Sequence, residues 1–308
     1  MPQVATSSAA AQTPSGWEIQ PGSRRQILGP ESDPSVGDNL NGATVIRVPE
    51  WVPNPLGRYY LYFGHHRGQS IRLAYADHPE GPWTVHPPGC LDLADVPQLY
   101  DHMASPEIVI DETNRQIRMY VHGGGGLIWW QETALTLSSD GLHFSVQPGI
   151  VAPYYLRVFH RGESWFGIAR DGGDWSLLLT SPDGIQPFRR TRAIYPHGRH
   201  YGLLVQGDVL WVFYSKRGDM PERILVSRVE MKGTAEEWEF PDGTDLMRPE
   251  LDWEGIGYPL KPSKDSTGIN VRQLRDPFVF EEDGNFYLYY SAAGESCLGM
   301  ARLKPVYD

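Results

Sequence analysis

Five short apolar stretches in this chain are each headed by residues that can hold charge or exchange a proton. Asp38, Asn39 and Asn41 precede residues 43–48, and Asp101, His102, Ser105 and Glu107 lead into 106–110. Tyr154, Tyr155 and Arg157 open the stretch 155–159, Arg199 and His200 precede 201–205, and Arg272, Arg275 and Asp276 precede 277–280. Carboxylates and imidazoles in such places can work as general acids and bases. Guanidinium groups bind hydroxyls or anionic groups. Each residue also has a plainer role: Asp and Asn before a strand close turns, and Arg272 and Arg275 could form a solvated rim. Asp276 and Glu107, both at the heads of apolar strands, are the sharpest candidates. Pro277 fixes its own φ and favours an extended Asp276, which would hold the carboxylate at the strand head while Phe278 and Phe280 anchor the strand.

These heads recur because the chain repeats. An aromatic stretch returns at 58–64, 117–122, 164–169, 209–215 and 285–291. With Leu61, Met119, Phe166, Val212 and Leu288 as equivalents, the steps are 58, 47, 46 and 76 residues. Each aromatic stretch follows one of the apolar stretches across a polar turn and precedes a third, at 71–75, 134–137, 177–180, 224–227 and 298–301. A turn such as Asp140-Gly141 or Asp183-Gly184 then leads to a fourth, outer strand carrying Trp or Phe. Five repeats of strands at this period predict an all-β protein, a single five-bladed β-propeller over residues 17–308. First strands line the channel of such a fold, so their heads converge on one pocket.

The fifth repeat stops after its third strand, near Lys304, and the segment Glu18–Leu28 has no repeat of its own. That segment is expected to supply the missing outer strand and close the ring, removing an open edge. Residues 243–271 form a long Pro- and Gly-rich insertion, expected to be a functional loop or lid. Residues 1–16 are small, polar and aperiodic, a disordered tail without the features of a secretory signal. The localisation expected by default is cytoplasmic.

Composition removes several functions. Lys plus Arg number 27 against 38 Asp plus Glu, a net charge of −11, which suits nucleic acid poorly as a partner. No apolar run of about 18 residues would span a membrane. Cys90 and Cys297 are the two cysteines, too few for a zinc cluster, though one bridge could form. No phosphate loop, nucleotide fingerprint or paired metal-binding His motif is present. No cofactor is expected, although a central calcium ion is compatible with the fold. Oligomeric state is not legible.

Arg275-Asp276-Pro277 and the residues that follow it to Ser291 resemble the Arg-Asp-Pro blade motif of five-bladed propeller glycosidases, glycoside hydrolase family 43 and its relatives in families 32, 62, 117 and 130. Ser105-Pro106-Glu107 resembles the Ala-Pro-Asp/Glu strand of the same group. In many family 43 members the Arg-Asp-Pro motif stands in the first blade; here it stands in the last, and the first has Asn41-Gly42-Ala43 at that place. Glu80-Gly81-Pro82, which looks like the family's acid motif, falls in an outer hairpin and is read as unrelated.

The resemblance implies a glycoside hydrolase acting on a carbohydrate, releasing a terminal sugar with inversion. Inverting enzymes hold an acid and a base on opposite sides of the bond. Asp276 would be the base or charge stabiliser and Glu107 the acid, with His102 as second choice because family 117 relatives use a histidine. Asp38 would hold sugar hydroxyls or tune a neighbour. Arg275, Arg157, His200, Arg272 and Tyr155 would bind substrate, several arginines hinting at an anionic sugar, and Trp130 could stack on a sugar face. A phosphorylase, a polysaccharide lyase and a non-catalytic sugar-binding propeller are the alternatives.

Overall fold

The protein is described here by a computed structural model, over residues 13–125, 130–262 and 269–308. Among these residues there is no α-helix; apart from three short 3-10 turns the regular structure is strand. β1 (Gly16–Ile19) and β2 (Arg25–Leu28) come first. A sheet follows in sequence order: β3 (Asn41–Arg47), β4 (Tyr59–Gly64), β5 (Ser70–Ala76) and β6 (Thr84–Asp92). The second group is β7 (Tyr100–Asp111), β8 (Gln116–Gly124), β9 (Gln131–Ser138) and the short β10 (Ser145–Val146). The third is β11 (Ala152–Arg161), β12 (Ser164–Arg170), β13 (Trp175–Ser181) and β14 (Arg189–Pro196). A two-residue pairing of β9 with β11 joins these two groups into one sheet. The fourth group is β15 (Gly198–Gln206), β16 (Val209–Lys216), β17 (Ile224–Glu230) and β18 (Thr244–Met247). The fifth is β19 (Arg275–Glu282), β20 (Asn285–Ala292) and β21 (Cys297–Val306).

The aromatic stretches are the second strands, and their continuous apolar character has a packing cause. In β4, Tyr60 and Tyr62 enter one core cluster while Leu61 and Phe63 enter another. In β16, Val209, Trp211 and Phe213 face one cluster and Leu210, Val212 and Tyr214 the next. In β20, Phe286, Leu288 and Tyr290 part from Tyr287 and Tyr289 in the same way. Alternate residues point to opposite faces of a sheet, so a strand between two packed neighbours must be apolar throughout. The first strands meet one another in a cycle: β3 packs on β7, β7 on β11, β11 on β15, β15 on β19, and β19 on β3.

β1 and β2 both pair with β21, antiparallel: residues 16–19 with 303–306, and Arg25–Leu28 with 298–300. The segment without a repeat thus completes the last group, as its position predicted. Trp17 is buried against Trp211, Phe213 and Phe286, which ties the fourth and fifth groups together. Trp17→Ala should cost about 3–5 kcal/mol, read as a lower denaturation midpoint.

Several details differ from the sequence expectation. β1 starts at Gly16, and Ser15 already donates to the Val306 carbonyl, so the tail ends sooner than expected; residues 1–12 of it lie outside the described residues. Trp83, Phe144 and Phe188 stand one residue before β6, β10 and β14 rather than inside them, yet still pack on the core. Gly123 and Gly124 end β8. A side chain at Gly123 would run into the His102 carbonyl oxygen, so the close approach of β7 requires glycine there. In the 243–271 insertion, Trp253 stacks on Tyr290, and buried Glu254 accepts hydrogen bonds from Tyr290 and Arg24; residues 263–268 lie outside the described ones. Cys90 and Cys297 are free thiols.

Candidate active site

One local device recurs at the head of every first strand. The ladder slips between Asn41 and Thr44, Ala104 and Glu107, Tyr154 and Arg157, Gly198 and Tyr201, and Arg275 and Phe278. A bulge of this kind bends a strand and re-aims the side chain it frees. Gly42, Ser105, Tyr155 and Asp276 take φ of 62°, 45°, 56° and 48° at four of these bulges. At Gly42 only glycine fits, because a Cβ would lie inside van der Waals contact with the Ser105 backbone. Asp276 is therefore left-handed, not extended as Pro277 alone would favour; the bulge overrides the local preference. Non-glycine residues held at positive φ cost roughly 1–3 kcal/mol and cluster at functional sites.

The heads of β3, β7, β11 and β15 line a cavity of about 500 Å³. Its wall carries Asn41, His66, Arg67, Asp101, His102, His122, Trp130, Tyr154, Tyr155, Arg170 and Arg199. The Asp101 carboxylate is hydrogen-bonded to Nδ1 of His102, which leaves Nε2 of that ring to face other groups. Such a partner fixes the tautomer and orientation of an imidazole. The Tyr155 ring stands edge-on between His122 and His200, with centroids 4.5 and 4.8 Å away. Asp101 is the one carboxylate on the wall among the described residues.

Beneath the wall lies a buried charged layer. His200 Nε2 is 3.2 Å from Asp276 Oδ1, and Ser291 Oγ donates to Asp276 Oδ2 at 3.0 Å. Arg275 sits between two carboxylates, 2.8 Å from Glu222 and 2.8 Å from Glu295. Glu295 also accepts from Asn39 and Asn41 and pairs with His66 at 3.3 Å, so it links the first and fifth groups beside the cavity. Burial, and after it the Glu295 charge, push the Asp276 carboxyl up to about 6. Burial would raise Glu295 too, but the His66 hydrogen bond and the Arg275 guanidinium outweigh it and hold Glu295 well below the usual range. The two act oppositely on stability. Glu295 stabilises the fold above the ordinary carboxylate range and loses that contribution as pH falls. Asp276 costs stability as pH rises from about 4 to 6. Burial, then neighbouring Arg199 and Arg275, keep His200 neutral far below its ordinary value. Burial and then His102 do the same to His122.

The structure separates the sequence candidates into three sets. His102, Tyr155 and Trp130 are on the cavity wall. Asp276, His200 and Arg275 form the layer beneath it, where Arg275 is fully engaged in positioning the two glutamates rather than open to substrate. Glu107, Arg157, Asp38 and Arg272 are not on the wall. Glu107 is buried and paired with Arg157 at 2.9 Å. It also accepts from the Val158 amide, while Arg157 donates to the carbonyls of Pro106 and Tyr201. This pair joins β7, β11 and β15, away from the cavity wall where a proton donor and a substrate ligand were expected. Asp38 is an exposed side chain 3.7 Å from His65, outside the cavity. Arg272 is half-exposed beside the insertion, its amide donating to the Pro259 carbonyl. Glu80, in the turn between β5 and β6, pairs with Arg25 of β2 and Arg302 of β21, away from the cavity. Trp129 lies outside the described residues. Arg157→Met would strand Glu107 without its partner and should cost about 3–5 kcal/mol, measured by denaturant unfolding.

Sequence reading missed His66, Arg67, His122, Arg170, Glu222 and Glu295. Most follow or end second strands: His66 and Arg67 come after β4, His122 and Arg170 close β8 and β12, and Glu295 follows β20. In an antiparallel pair the end of one strand lies beside the start of its partner, as in the pairings of Asn41 with Gly64 and Tyr154 with Arg170. Polar residues closing the aromatic stretches were the signal that could have found them.

No protein-family model matches the chain. Among solved structures it is similar to a glycosyl hydrolase from Bacteroides ovatus, at 10% identity, TM-score 0.65, with 94% of each chain covered. A family GH43_1 enzyme from Xanthomonas citri is similar at 12% identity and TM-score 0.60, covering 92% of this chain and 90% of that one. The fold is that of the family 43 glycoside hydrolases. Within that fold, the chain is 32% identical over 311 residues to uncharacterized protein R118 of Acanthamoeba polyphaga mimivirus, covering 88% of this chain and 85% of that protein. The two belong to one family.

Proposed function

We propose that this chain is a glycoside hydrolase, a single five-bladed propeller closed by β1 and β2, which cleaves a terminal, anionic sugar in its central cavity. The cycle of packed first strands and the pairing of both N-terminal strands with β21 support the closed ring. The observation that carries the chemistry is the Asp101–His102 pair on the cavity wall, a held imidazole with one nitrogen facing away from its carboxylate. His102 then protonates the departing glycosidic oxygen while water attacks the anomeric carbon. Asp276 is the base or the carboxylate that balances developing positive charge. It shares its bulge position with Tyr155, and its charge acts on the Tyr155 hydroxyl, which is on the wall. A retaining enzyme needs two carboxyl groups about 5 Å apart at the bond. One carboxylate on the wall favours direct attack by water and inversion. Arg67, Arg170 and Arg199 in the wall of a protein of charge −11 favour an acidic sugar. The Xanthomonas citri enzyme has been solved with xylose, a neutral pentose, so the expected substrate differs in charge.

One observation favours a second reading. A wall of histidine, tyrosine and arginine with a single carboxylate also suits β-elimination from a uronate, with Tyr155 or His102 abstracting the proton. A panel of aryl glycosides and acidic oligosaccharides, assayed with and without phosphate, separates the readings. Hydrolysis yields a reducing sugar independent of phosphate. An unsaturated product absorbing in the ultraviolet, or turnover that needs phosphate, would overturn the hydrolase.

A further inference from the structure

Large aromatic side chains in this protein are mostly buried, yet Tyr100, Trp130 and Trp175 are 58%, 65% and 51% exposed. They sit on neighbouring segments, and Trp130 lines the cavity. Tyr100 pairs with Gly124 at the end of β8, and the Gly125 amide reaches the Trp130 carbonyl at 3.5 Å. The next loop comes up against Trp130, since a Cβ on Gly172 would lie 3.9 Å from the Trp130 Cβ. Three residues further on, Trp175 opens β13. The row begins at the cavity, because Trp130 and Asp101, the residue after Tyr100, are both on its wall. Tyr154 meets Trp130 edge-on, with centroids 6.2 Å apart at 90°, and props it at the mouth.

Scattered exposed apolar residues are ordinary on a protein surface, whereas a contiguous set marks a binding site. The residues between these aromatics decide what binds. Among the described residues they include Gly124, Gly125, Asp171, Gly172, Gly173 and Asp174. Flat aromatic faces set among glycine and carboxylates, and continuous with the cavity wall at Trp130, suit the C–H faces and hydroxyls of sugar rings.

We propose that Tyr100, Trp130 and Trp175 form a stacking strip that carries the sugar units of a chain leading out of the cavity. The inference rests on the reading that the cavity takes a sugar, and it adds that the substrate is an oligosaccharide or polysaccharide recognised over several units.

The test is a binding titration of the full chain with two ladders, oligogalacturonates and xylo-oligosaccharides, from two to six units. Intrinsic fluorescence and calorimetry provide the readouts. Affinity should rise with length in at least one ladder, with quenching of exposed tryptophan. Each of Tyr100→Ala, Trp130→Ala and Trp175→Ala should remove roughly three- to tenfold of that gain. Affinity independent of length, a length dependence untouched by all three variants, or no binding of either ladder overturns the strip. So does a fall in oligomeric mass in the variants without any change in glycan binding, which would make the row a contact between copies. Turnover of aryl glycosides without length dependence would sink the strip and leave the hydrolase standing. Length-dependent binding without turnover of any glycan would do the reverse.

Discussion

Asp276→Asn should lower turnover by at least ~10²-fold while leaving the melting temperature nearly unchanged. The substitution keeps the shape that fills the bulge on β19, together with the contacts to His200 and Ser291, and removes only the charge. The wild-type rate should also fall as pH drops below about 6, because that is where burial and the neighbouring Glu295 bring the carboxyl into its protonated form. The acid limb should be absent from whatever activity the variant retains. If Asp276 only closes a turn, stability drops and turnover per folded molecule survives, and the base must be sought on the cavity wall itself.

His102→Ala should cost about 10²- to 10⁴-fold on substrates with poor leaving groups. The loss should shrink greatly on an aryl glycoside whose leaving group departs without protonation, since only the proton donor has been removed. Asp101→Asn should reduce the rate less than His102→Ala, because it loosens the imidazole without deleting it. Equal losses on activated and unactivated substrates would show that His102 only shapes the pocket. Steady-state kinetics of the three proteins on a leaving-group series provides the comparison.

The fold was legible because one physical demand repeats along the chain. A strand packed on both faces must be apolar at every position, so the second strands appear as Tyr59–Gly64 or Val209–Lys216 with no polar alternation. Once these were aligned, the first and third strands fell into place, and the missing outer strand of the last group pointed to residues 18–28. The site was legible only in part. Reading the heads of the first strands pointed to His102 and Tyr155, which stand on the cavity wall, and to Asp276 in the layer beneath it, because a bulge sits at each head. It could not tell Glu107 from Asp276, since both stand beside a proline in an apolar strand. What separates them is the partner: Arg157 reaches Glu107 from β11, whereas His200 and Ser291 meet Asp276. Arg157 and His200 come from other groups, 50 and 76 residues away in the chain, and no local pattern encodes them. Glu222 and Glu295 were missed for a related reason. They follow the second strands in turns, where a carboxylate looks like a solvated one, and both are fully buried.

The central claim is that water cleaves a glycosidic bond in the cavity. Its most direct test is hydrolysis of acidic oligosaccharides in ¹⁸O-labelled water, with products analysed by mass spectrometry for the wild type and Asp276→Asn. The account predicts one labelled oxygen at the newly formed anomeric hydroxyl, with the rate of labelling lost in the variant. Cleavage without label, or labelling that proceeds equally in Asp276→Asn, would contradict it.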